Sequence, residues 1–118
     1  MNAYAALYAA TDLRRVARAA LDALKDAEKH FMAVMYATQK ASLAAYLAAG
    51  GDPDDFLGPI DFEQSFLPAQ PEYRAAEARY EEALASYREA VQTFNAAAKV
   101  ARTYWENKAH VDYCFLSY

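Results

Sequence analysis

The chain has 118 residues, 56% of them hydrophobic, with one cysteine and a net charge of −4. That length is read as one domain. The lone Cys114 excludes an internal disulfide, and the acidic balance argues against a nucleic-acid surface, which needs a basic patch.

The start, Met1-Asn2-Ala3-Tyr4, has no basic stretch leading an apolar run. No signal peptide is read, and the expected location is cytoplasmic, or export by a route that needs no such signal. Residues 2–10 are alanine-rich, with Tyr4, Leu7 and Tyr8 on one face. Thr11 or Asp12 marks a change of phase and is a candidate N-cap. No strong breaker follows, so one nearly continuous helix is predicted from about residue 3 to 49.

Along that helix Leu13, Ala17, Ala20, Leu24, Ala27, Phe31 and Val34 return at alternating steps of four and three. The first half is amphipathic. From Phe31 onward Met32, Met35, Tyr36, Leu43, Tyr46 and Leu47 point in several directions. A helix apolar all round is buried on more than one side. A membrane span is not expected, because Gln39 and Lys40 stand at the middle of the run, where a lysine is costly.

Gly50-Gly51 ends the helix, since glycine adopts the left-handed C-terminal cap at little cost. The connection up to Gln70 is long and apolar, with Phe56, Leu57, Ile60, Phe62, Phe66 and Leu67. Pro59 is placed to start a short helix that stops before Pro68. The connection is expected to fold back over the apolar end of the long helices. Asp52, Asp54 and Glu63 have partial calcium-loop spacing, but Leu57 occupies the position where the turn needs glycine. They are read as turn formers, and no metal or cofactor is expected.

From Pro71 to about residue 110 a second long helix is predicted. Tyr73, Tyr80, Leu84, Tyr87, Val91, Phe94, Ala98, Ala101 and Trp105 form a heptad stripe. Ala76, Ala83, Ala90, Ala97 and Tyr104 widen it to a face suited to a bundle. The tail carries Tyr113, Phe115, Leu116 and Tyr118 and shows no regular face.

The predicted fold is all-α: a long antiparallel helical hairpin, about 3–49 and 71–110, with an apolar connecting loop. Residue i is expected opposite roughly 120 − i, which puts Phe31 near Glu89. Two helices cannot cover faces this wide, so completion as a four-helix bundle by dimerisation is expected. The competing closure is a monomer covered by its own loop and tail.

His30 and His110 are too far apart in that register to share a metal. No Glu-x-x-His pair, phosphate loop or nucleophile with its base occurs. Size, acidity and alanine content are shared with the small Trp-x-Gly secretion substrates, but the turn has no Trp-x-Gly and Lys108 stands where that pattern needs an acid. The chain is not assigned to that family. The expectation is a non-enzymatic helical interaction or structural module acting through self-association and apolar ends. The candidate surface is Phe56, Phe62, Phe66, Tyr73, Tyr80, Tyr104, Trp105, Tyr113, Phe115 and Tyr118. One alternative is a small acidic inhibitor or adaptor that docks its aromatic loop or tail on a protein partner. Another is a bundle holding a flat apolar ligand at its tyrosine-rich end, the chain having ten tyrosines.

Overall fold

The computed structural model describes the backbone of residues 2–116 and the side chains of residues 2–107. Among those residues the fold is all-α, in three helices: α1 Ala3–Ala48, α2 Gly58–Ala69 and α3 Pro71–Leu116. No cis peptide bond occurs among them.

Helix α1 is continuous, as expected. Its N-cap is Asn2, whose Oδ1 accepts the Ala5 N–H at 2.8 Å. Thr11 caps nothing; its hydroxyl donates to the Leu7 carbonyl one turn back, at 2.9 Å. The helix ends where Gly50 takes a φ of 88°. The Gly51 N–H then reaches the Tyr46 carbonyl and the Gly50 N–H reaches that of Leu47. This double bond pattern is the Schellman ending.

Helix α2 differs from expectation at its C-terminal end. It runs through Pro68 to Ala69 rather than stopping before the proline. Pro68 has no N–H to give the carbonyl four residues back, yet the helical backbone continues past it for one residue. The stop comes from the next proline. Pro71 disfavours the helical conformation at Gln70, and Gln70 is extended at φ −89°, ψ 118°. Gln70 then serves both helices. Its Nε2 donates to the Phe66 carbonyl of α2, and its own carbonyl accepts the Arg74 N–H of α3.

Helix α3 also outruns its predicted end, continuing to Leu116 instead of about 110. The heptad stripe stops near Trp105, but no glycine or proline follows Pro71, so nothing stops the backbone.

The chain divides into two compact units that share α1 and α3. The first comprises Met1–Ala23 with Leu84–Tyr118, the second Leu24–Ala83. In the first, the buried core is Ala6, Ala10 and Ala101, with Ala97 packed against it. Tyr4 meets Trp105 edge to face at 5.1 Å between ring centroids. In the second, Leu24, Ala27, Val34, Ser42, Leu67 and Ala76 are buried.

The second unit corrects the predicted register. Phe31 does not lie near Glu89. It stacks on Tyr80 and tilts on Tyr73, at 5.6 Å in each case. Tyr80 precedes Glu89 by about two and a half helical turns. In the same unit Tyr46 meets Phe62 of α2 at 5.8 Å, so α2 packs on the C-terminal part of α1.

Candidate functional site

The stretch between α1 and α2 is built around one side chain. The Tyr46 hydroxyl donates to the Asp52 carbonyl at 3.0 Å. Its ring lies so close to Gly51 and Gly58 that a Cβ at either would collide with it. Asp52 and Asp55 fold the stretch on itself. Each carboxylate accepts a backbone N–H two residues on, from Asp54 and Leu57 respectively. The Tyr46 hydroxyl is held above the ordinary tyrosine pKa, first by lost solvation and then by the charges of Asp55 and Asp52. Tyr73 is likewise raised, by burial and then by Glu77 and Glu63. Both stay neutral over the physiological range. Among the described residues no group of three potential metal ligands occurs.

The aromatic residues singled out in the sequence are used differently. Phe62 is half-buried between Tyr46 and Phe66, stacking on the latter at 5.7 Å. Tyr73 and Tyr80 spend their faces on Phe31. Trp105 is half-buried on Tyr4, and its Nε1 is buried with no hydrogen-bond partner among the described residues. Tyr104 remains exposed. Phe56 is 83% exposed, beside the exposed Leu57 and Ile60. Tyr113 and Phe115 lie in the part of α3 where the backbone alone is described, and Tyr118 is outside the described residues.

Grooves are also found among the described residues. One of about 410 Å³ lies in the second unit between Val34, Thr38, Phe66 and Gln70. A second of about 300 Å³, also in that unit, is lined by Ile60, Leu67 and Tyr73. The third, about 330 Å³, lies in the first unit between Leu7, Phe94 and Trp105, with Arg14 and Arg102 at its lining. None holds an acid, base and nucleophile together.

A further open apolar stripe lies on α1. On α1, Met32, Tyr36, Leu43 and Leu47 are 53%, 62%, 48% and 44% exposed. At 3.6 residues per turn they fall within an arc of about 60°. The buried Leu24, Ala27, Val34 and Ser42 occupy another face, about 150° away. The alanines between, Ala33, Ala37, Ala44 and Ala48, are exposed too. From Phe31 to Ala48 the exposed residues are apolar except Gln39 and Lys40. The Lys40 ammonium stands 4.6 Å from the centre of the Tyr36 ring, which keeps its stem on the stripe. The spacing of these four residues carries the signal, which the apolar residues on the other sides of the helix conceal.

No helix among the described residues is long and apolar enough to cross a membrane. No family model matches the chain, and no curated protein or solved structure is detectably similar to it.

Proposed function

We propose that this chain is a non-enzymatic helical module that works by self-association, a long helical hairpin completed as a four-helix bundle by a second copy. The observation that carries the reading is the mismatch between what is buried and what is large. Among the described residues, apart from three leucine- and valine-sized positions, the buried residues are alanines and one serine. The phenylalanines and tyrosines of the stripes are half-buried or open. Apolar surface of this extent is removed from water most readily by another apolar surface, and a second copy is always at hand. The module is placed in the cytoplasm. Sedimentation or light scattering tests the reading. A dimer is expected at micromolar concentration, and a monomer throughout that range overturns it.

A second reading is favoured by one observation, the 83% exposure of Phe56 next to exposed Leu57 and Ile60. An aromatic presented on a turn that Tyr46 and two aspartates hold in shape is suited to entering a pocket on another protein. A Phe56→Ala variant that leaves the oligomeric state unchanged but abolishes capture of a defined protein partner would favour the adaptor over the self-associating module.

A further inference from the structure

The groove of the first unit differs in charge from those of the second. Each second-unit groove has a glutamate at its lining, Glu72 in one and Glu63 in the other. The first-unit groove has two arginines, Arg14 of α1 and Arg102 of α3, and no carboxylate among its described lining residues. Neither arginine is in an ion pair among the described residues, where Arg15 takes Asp12 instead. The rest of the lining is apolar apart from Thr11, whose hydroxyl proton is spent on the Leu7 carbonyl.

Helix direction brings the two guanidinium groups toward each other. Tyr4 meets Trp105, while Ala6 and Ala10 pack with Ala101 and Ala97, so α1 and α3 are antiparallel in this unit. Side chains on a helix lean toward its N-terminus. Arg14 therefore leans back toward Ala10, and Arg102 leans back toward Ala98. Both alanines line the groove, so the arginines lean from opposite ends over one stretch of small residues. Two cations gathered beside apolar walls repel each other. An anion between them removes that repulsion and accepts hydrogen bonds from both, and a carboxylate matches the guanidinium fork. On either side of that stretch stand apolar walls, Leu7 and Trp105 at one end and Phe94 at the other. The volume of about 330 Å³ falls within the range of small-molecule sites, roughly 300–1,000 Å³.

We infer that this groove binds a free amphiphile, a single carboxylate on an apolar body. The carboxylate sits between Arg14 and Arg102, and the body lies against Leu7, Phe94 and Trp105. The inference goes beyond the self-association proposed above and does not depend on it.

Trp105 is the one tryptophan of the chain, so its emission reports on this groove alone. The test titrates the full chain, at about 1 µM, with dodecanoate up to about 1 mM. A saturable change is expected, half-complete on the order of 10–100 µM. Dodecyltrimethylammonium, with the same tail and the opposite charge, should give no saturable change, and neither should acetate, which has the head without the tail. Arg14→Gln and Arg102→Gln should each weaken dodecanoate binding at least about fivefold. Both side chains are exposed, so helical content by circular dichroism should be unchanged. Arg15→Gln removes the same charge outside the groove and should alter binding less than about twofold. An equal response to the ammonium amphiphile, or a response that survives both groove substitutions, would mean unspecific apolar adsorption and overturn the inference. No saturation up to about 1 mM overturns it as well. A response to vesicles of anionic phospholipid with none to free dodecanoate would give the arginines to a membrane surface, which also overturns it. Sedimentation of the unliganded chain tests self-association separately, so failure of one reading leaves the other standing.

Discussion

The two units are made from the same two long helices, yet they bury different things. In the first, alanine packs on alanine, and the aromatic pair Tyr4–Trp105 lies beside that seam. In the second, Phe31 enters between Tyr73 and Tyr80, and Tyr46 is clamped by glycines and Phe62. Charge divides the same way. Basic residues outnumber acidic ones seven to five in the first unit, whereas in the second acids lead eleven to five. An alanine seam holds helices together by close approach, so it fails when volume is added. An aromatic seam holds by area, so it fails when volume is removed.

The largest effect expected follows from that contrast. Phe31→Ala should cost about 3 kcal/mol, at the lower end for a phenylalanine because the ring is only half-buried. Hydrogen exchange should show the loss in amides of the second unit first. Ala6→Leu is the converse, adding volume where the core is closest, and should cost about 2 kcal/mol. The amides of the first unit should lose protection first. If both variants loosen the two units equally, the distinction between them is not one of packing.

Tyr46→Phe removes the hydroxyl bond to Asp52 while keeping the ring, and should cost about 1 kcal/mol in urea denaturation. A change of pH reaches the same group. Because the folded pKa values of Tyr46 and Tyr73 are raised, the folded state favours their neutral forms. Their contribution is fully present below the ordinary value near 10 and is lost as pH rises through the raised folded values. The second unit should therefore loosen first in alkali, read as tyrosinate absorbance alongside exchange of the α2 amides. The smallest effect is a gain. Ser42 is 1% exposed, and its Oγ has no hydrogen-bond partner among the described residues. Ser42→Ala should raise stability by at most about 1 kcal/mol, because it removes an unsatisfied hydroxyl.

Much of this was legible in the residues. The absence of breakers from Ala3 to Ala48 and after Pro71 fixed two long helices, and Gly50 fixed where the first one ends. Local chemistry suffices for such features, because capping, proline geometry and glycine's freedom act within one turn. The apolarity of residues 31–49 was legible too, but not its division into a packed face and an open one. Periodicity reports which residues share a face and does not say which face meets the rest of the chain.

The sequence by itself determined helix type, approximate length and the heptad stripe, all properties of short-range spacing. Tertiary structure decided the register and the use of the stripe. Tyr46 reaches Asp52 and Phe62, which sets α2 against α1, and in the same unit Phe31 meets Tyr80. That choice depends on contacts between residues far apart in sequence, which compete on packed volume. In the resulting packing Met32, Tyr36, Leu43 and Leu47 are exposed.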